Sequence, residues 1–210
     1  MLRSIVLATR NPGKIREIRS VLADLPLSIR GLEALPDLAE PEETGSSFAE
    51  NARQKAIYYA LATAGPCLAD DSGLEVDALG GEPGVRSARY AADRCPSGAS
   101  RREIDQANNA LLLERLADVP PHRRTARFVC HLALAEGQQI LLEACDTLEG
   151  QIGYEPRGDN GFGYDPLFIY PPARCTTAEL DESDKNLVSH RGKALRHFAQ
   201  RLQKFLQQGS

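Results

Sequence analysis

Tryptophan is absent from this 210-residue chain, methionine occurs once, and aromatic residues make up only 6% of it. A groove for single-stranded nucleic acid needs aromatic platforms along a basic track, and this composition does not supply them. Positive charge is not in excess either. The 25 Lys and Arg face 29 Asp and Glu, a formal net charge of −4, which disfavours binding to a duplex. Long apolar runs are missing as well: Leu132–Ala135 and Ile140–Leu142 fall far short of the ~20 residues of a membrane helix. The first eight residues run straight into Thr9-Arg10-Asn11, too soon polar for a secretory leader. The expected partners therefore include neither nucleic acid nor membrane.

Five cysteines are present, an odd number, and no two have CxxC spacing, so a disulfide framework and a structural zinc site are both disfavoured. Cys67, Cys130 and Cys145 lie in apolar stretches and read as small core residues. A reducing, cytoplasmic compartment is the expectation. With 42% hydrophobic and 26% charged residues, the chain reads as one globular domain over residues 1–210, long enough to bury a core.

What is present is an alternation of strand and helix patterns. Ser4–Ala8 reads as a buried strand, and the polar turn Thr9–Lys14 follows it. Ile15, Ile18, Val21, Leu22 and Leu25 then recur at helical spacing. Leu27–Arg30 suggests a second strand, and residues 31–45 a loop rich in proline and acid, with Pro36, Asp37, Glu40, Pro41, Glu42 and Glu43. Ser47 and Glu50 fit a capping box, opening a helix that sets Phe48, Ala52, Ala56, Tyr59 and Ala60 on one face. Cys67–Ala69 reads as a central strand ending in the turn Asp70-Asp71-Ser72-Gly73, with another strand over Leu74–Leu79. Ser100 and Glu103 cap a further helix, Ala126–Ala135 and Gln139–Cys145 pair as a hairpin, residues 155–165 form a glycine-rich loop, and Ala194–Leu206 forms an amphipathic C-terminal helix. Interleaved elements predict an α/β fold, and the hairpin predicts a mixed sheet.

Four polar segments fall at strand ends or on loops, where open α/β sheets bind ligands. Thr9-Arg10-Asn11-Pro12-Gly13-Lys14 links a strand to a helix start, which offers backbone N–H groups and the positive end of a dipole to phosphate, with Lys14 adding a charge. It lacks Walker A spacing, and an ordinary polar turn accounts for it equally well. Asp70 and Asp71 are hard oxygen ligands of the kind that suit Mg²⁺, or simply the start of a turn. Glu42 and Glu43 would complete such a site, or belong to a solvated loop. Phe162 between two glycines, in Gly161-Phe162-Gly163-Tyr164-Asp165, lets a planar ring stack, while Lys185, His190 and Arg191 offer donors. The DxDx[TV] and GxSxG patterns of two other hydrolase classes are missing.

The same segments carry a resemblance. TxNxxK near the start, EETG, the SFxENAxxKA stretch at Ser47–Ala56, ADDSGLxVDxLGGxPGxxSARYA over Ala69–Ala91, GFGYDPLF and SHRGKAL are together similar to the inosine triphosphate pyrophosphatase family. The likeness runs from about residue 4 to 206. It implies an elongated two-lobed α/β domain, a central mixed sheet flanked by helices and an active cleft between lobes. It also implies a homodimer, dependent on Mg²⁺, that cleaves ITP, dITP and XTP to the monophosphate and pyrophosphate. Residue by residue, Thr9, Arg10, Asn11, Pro12, Gly13 and Lys14 would bind the triphosphate. Glu42 and Asp71 would hold Mg²⁺, with Glu43 adjacent to the first, and Asp71 would be the proton acceptor. Ser72, Phe162, Gly163, Tyr164, Asp165, Lys185, His190 and Arg191 would complete the substrate site. Two readings compete: a Maf-like nucleotide pyrophosphatase, whose motifs are missing, and a non-catalytic nucleotide-binding protein, which would need no acids.

Overall fold

The computed structural model describes residues 2–33 and 38–208, so the loop expected at Pro36 and Asp37 lies outside the described residues. The elements are β1 (Ser4–Leu7), α1 (Pro12–Val21), β2 (Ser28–Arg30), α2 (Phe48–Thr63), β3 (Cys67–Val76), α3 (Arg101–Arg115), β4 (Thr125–Glu136), β5 (Gln139–Ile152), β6 (Phe168–Tyr170), β7 (Cys175–Thr176), α4 (Glu182–Val188) and α5 (His190–Gln208), with short 3-10 turns between some of them. The strands form a seven-stranded sheet in the order β2-β1-β3-β4-β5-β6-β7. β1 runs parallel to β2 and β3, whereas β6 is antiparallel to β5 and β7, so the α/β sheet is mixed. Among the described residues no helix is long and apolar enough to cross a membrane.

The chain divides into two compact units. One comprises Met1–Asp71, Cys130–Asp146 and His190–Ser210; the other comprises Ser72–Val129 and Thr147–Ser189. In the first unit the strands have two covered faces, and alternation along each strand sorts residues between them. Ile5, Leu7 and Leu68 join Ile18 of α1 and Leu195, Phe198 and Leu202 of α5. Val6, Ala8, Cys67 and Ala69 join Ala52, Ala56, Tyr59 and Ala60 of α2. Alanines on both sides of that second contact let a helix lie close to the strands. The second unit has its own core, in which Leu74, Val76, Leu112, Phe128, Leu148 and Phe168 cluster.

Local chemistry explains the helix starts. Ser100 and Glu103 form a complete capping box on α3. On α2 the Ser47 side chain accepts the Glu50 N–H, but the Glu50 carboxylate turns to Ser46, accepting from its N–H and its hydroxyl.

Two expectations are corrected. Asp70-Asp71-Ser72-Gly73 is not a turn between two strands; β3 runs through it without a break from Cys67 to Val76. Asp and Gly there read locally as turn residues, but tertiary partners on each face hold the acids in extended backbone. Cys145, expected in the core with Cys67 and Cys130, is exposed, because its turn in the alternation of β5 falls outward.

Candidate active site

Adjacent residues of a strand point to opposite faces, so the two aspartates of β3 do not act as a pair. Each meets cations from the helices on its own face. Asp70 is buried on the α1 and α5 side. Lys14 Nζ, from the first turn of α1, lies 2.7 Å from Asp70 Oδ2, and Arg191 Nε, from the first turn of α5, lies 3.6 Å from the same oxygen. Arg191 is buried and also donates to Glu17 Oε2 at 3.0 Å. Burial alone would raise the Asp70 carboxyl, but Lys14 and Arg191 overcome this and hold it well below the usual carboxylate range.

Asp71 faces α2. Lys55 Nζ is 2.9 Å from Asp71 Oδ1, and the same ammonium contacts Glu43 Oε1. One turn earlier on the helix, Asn51 donates from Nδ2 to Asp71 Oδ2 at 3.1 Å, and its Oδ1 accepts the Gly45 N–H at 2.8 Å. That second bond fixes the amide so that its donor end must face the carboxylate. Burial pushes the Asp71 carboxyl above the ordinary aspartate value, with Lys55 pulling the other way. Burial likewise works against the charge on Lys55, yet Asp71 and Glu43 outweigh it, and its pKa is raised to about 12.

These contacts decide how the sequence expectations fare. Lys14 is brought to Asp70, and three N–H groups of the turn, those of Asn11, Gly13 and Lys14, are engaged within it. Asn11 caps α1 and takes the N–H groups of Gly13 at 2.9 Å and Lys14 at 3.3 Å, Thr9 Oγ1 accepts from Asn11 N at 3.2 Å, and Pro12 has none. Arg10 donates to the Leu38 carbonyl at 2.7 Å. Glu42, expected beside Asp71, is exposed; its neighbour Glu43 is the residue that joins Asp71 around Lys55. Ser72 continues β3 and is half-buried, and His190 opens α5.

The carboxylates of Glu43 and Asp71 converge on a single cation, the Lys55 ammonium. Among the described residues no group of three His, Cys, Asp or Glu side chains is placed to hold a metal. Two carboxylates with room for substrate oxygens and water are the donor set typical of Mg²⁺, which seldom has an all-protein cage. Glu43 and Asp71 supply two hard oxygen donors of the kind that ion takes, with the Lys55 ammonium between them.

In the second unit the segment Gly161–Asp165 is ordered around one exposed ring. Phe162 is 44% exposed, while Tyr164 is buried and donates its hydroxyl to the Ser87 carbonyl at 2.9 Å. Asp165 is buried: its Oδ2 accepts the Phe162 N–H at 2.8 Å and pairs with Lys185 Nζ, and its Oδ1 accepts from Thr177 Oγ1 at 2.8 Å. Lys185 Nζ lies 5.2 Å from the centre of the Phe162 ring, a cation–π contact. Gly161 has φ +78, and a Cβ there would come within 2.2 Å of the Asp165 carboxylate, so no other residue fits. Tyr164 and Asp165 thus hold the loop, and Phe162 is the face it presents.

Lys55, Asn51, Asp105 and Asn109 are partners that residue types alone did not single out. Asn51 and Lys55 stand in the SFxENAxxKA stretch without an assigned role, whereas for Asp105 and Asn109 the available signal was spacing; each pair is separated by four residues on its helix and shares a face.

A family model described as the Ham1 family matches residues 5–201. The chain belongs to the Ham1 family. It is 50% identical over 202 residues to a dITP/XTP pyrophosphatase of Exiguobacterium sibiricum, covering 96% of this chain and 98% of that protein. It is also 50% identical to a dITP/XTP pyrophosphatase of Nitratidesulfovibrio vulgaris, covering 92% of each. Among solved structures, a Ham1 protein from Coxiella burnetii superposes with a TM-score of 0.86 at 41% identity, over 97% of this chain and 100% of that one. The β3 acids and the α2 lysine therefore sit in a Ham1-family fold.

Proposed function

We propose that this protein hydrolyses non-standard purine nucleoside triphosphates, ITP, dITP and XTP among them, to the monophosphate and pyrophosphate, and so cleanses the nucleotide pool. The convergence of Glu43 and Asp71 on one cation carries this reading, and the names of the relatives support it. Water attacks the α-phosphorus, the bond from that phosphorus to the αβ-bridging oxygen breaks, and pyrophosphate leaves. Asp71 takes the proton of the attacking water. Its burial makes it a stronger base than an exposed aspartate. Lys14 and Lys55 neutralise charge on the departing phosphates. Mg²⁺, held by Glu43 and Asp71, would supply further charge neutralisation there.

Phe162 offers the purine a stacking face, with Lys185 and Asp165 steadying it. Hypoxanthine and xanthine accept at position 6 where adenine donates, so a donor such as His190 favours them; an unpaired buried donor disfavours ATP. Arg191, whose guanidinium contacts Asp70 and Glu17, acts through Asp70 and Lys14 on the phosphates. We further propose a homodimer, as the family resemblance implies, in the reducing cytoplasmic compartment that the cysteine usage suggests.

The metal assignment separates neighbouring residues. Glu43→Gln is expected to weaken Mg²⁺ activation of ITP hydrolysis by about tenfold or more, the scale of losing one charged contact. Glu42→Gln is expected to leave it within about twofold. A Mg²⁺ titration of initial rates checks this, and the opposite order would return the role to Glu42. Removing divalent cations with a chelator should abolish turnover of the wild type.

A further inference from the structure

Helix α3 carries two polar side chains, Asp105 and Asn109, that the proposed reaction leaves unused. Four residues apart, they share one face of the helix. Together they engage both backbone polar groups of Gly163: Asp105 Oδ2 accepts its N–H at 2.9 Å, and Asn109 Nδ2 donates to its carbonyl at 2.9 Å. Gly163 lies in the left-handed region at φ +63 and directly follows Phe162. On the other side of the ring, the Phe162 N–H is held by Asp165. The backbone is thus tied down both before and after a ring that itself remains 44% exposed. Asp105 is anchored in turn, with Arg101 Nε 3.1 Å from its Oδ1 and its side chain 13% exposed.

Glycines at 158, 161 and 163, all at positive φ, give this loop more conformational freedom to lose than other residues would. A loop that became ordered only on binding would subtract that loss from affinity. We infer that Asp105 and Asn109 are positioning residues, which fix the Gly163 peptide groups so that Phe162 is presented to the purine as a pre-set face. The inference rests on the reading of Phe162 as the purine-stacking face. Both act through the Gly163 backbone, so the effect belongs in KM for nucleotides and not in the chemical step.

The test uses the full-length protein with Ala, Asn and Asp variants. Asp105→Ala and Asn109→Ala should each raise KM for ITP about tenfold, with kcat within about threefold, because pre-organisation acts on binding. Inhibition by inorganic tripolyphosphate, which has no base, should stay within twofold or so of wild type. The near-isosteric changes should split. Asp105→Asn keeps an acceptor for the Gly163 N–H and should restore KM. Asn109→Asp sets a carboxylate against the Gly163 carbonyl and should be at least as harmful as Ala. Because the chain has no tryptophan, Phe162→Trp provides a single fluorescent reporter. Acrylamide quenching of it should rise when Asp105→Ala is added and not when Asp105→Asn is added.

ITP turnover with unchanged KM in both alanine variants would overturn the inference, as would wild-type behaviour of Asn109→Asp. Absence of ITP turnover by the wild type would instead overturn the functional reading beneath it.

Discussion

Replacing Asp71 by Asn is expected to lower kcat for ITP about a thousandfold, within the 10²–10⁴ range of a removed general base. Nucleotide affinity should stay within roughly tenfold. Asn has nearly the same volume, and its amide oxygen still accepts from Asn51, whose orientation is set independently by Gly45. The substitution removes the proton-accepting group, the negative partner of Lys55 and one of the two carboxylates that converge on it. The fold should persist, since the buried Asp71 carboxylate is disfavoured by desolvation to begin with. Single-turnover rates and equilibrium binding of ITP, measured on the same preparation, separate the two effects. A variant that keeps more than about a tenth of wild-type kcat, a barrier change under ~1.4 kcal/mol, would remove Asp71 from the central role.

Asp70→Asn should act on stability. Its carboxylate, almost fully buried, is shared by Lys14 and Arg191. Removing one member of a buried ion pair leaves charge without its partner and costs about 3–5 kcal/mol. For a chain of this length that is a fall in Tm of about 10 °C. The pH dependence has a definite sign. The folded-state pKa of Asp70 is depressed, so its contribution is complete above the unfolded value of ~3.9 and is lost as pH falls toward the native value. The gap between wild type and variant should be full at neutral pH and should narrow below about pH 4. Denaturant melts at neutral and acid pH measure it. A gap under about 1 kcal/mol at neutral pH, or one that widens in acid, would contradict the buried-network account.

Much of this was legible before the structure. Apolar spacing placed α1, α2 and α5, the Ser-x-x-Glu pairs placed the starts of α2 and α3, and the acids and the glycine-flanked Phe162 marked where polar chemistry gathers. Local rules failed at β3. Two aspartates, a serine and a glycine in succession satisfy every criterion for a turn, and only Lys14 and Arg191 on one face, with Lys55 and Asn51 on the other, make the extended path tolerable. That arrangement also gives the adjacent acids different surroundings: one faces the helices α1 and α5, the other faces α2. The strands β6 and β7 and the helix α4 span three, two and seven residues, too few to show a period. The preference for Glu43 over Glu42 depends on which of two neighbours reaches Lys55, and composition does not encode it.

The products of turnover distinguish pyrophosphate release from orthophosphate release. The wild-type protein, with Mg²⁺, is given ITP, dITP, XTP, GTP and ATP in parallel, and nucleoside monophosphate, pyrophosphate and orthophosphate are quantified. Monophosphate and pyrophosphate are expected in equal amounts from ITP, dITP and XTP, with ATP turned over far more slowly. Release of orthophosphate with accumulation of the diphosphate, or equal turnover of ATP and ITP, would contradict the proposed function.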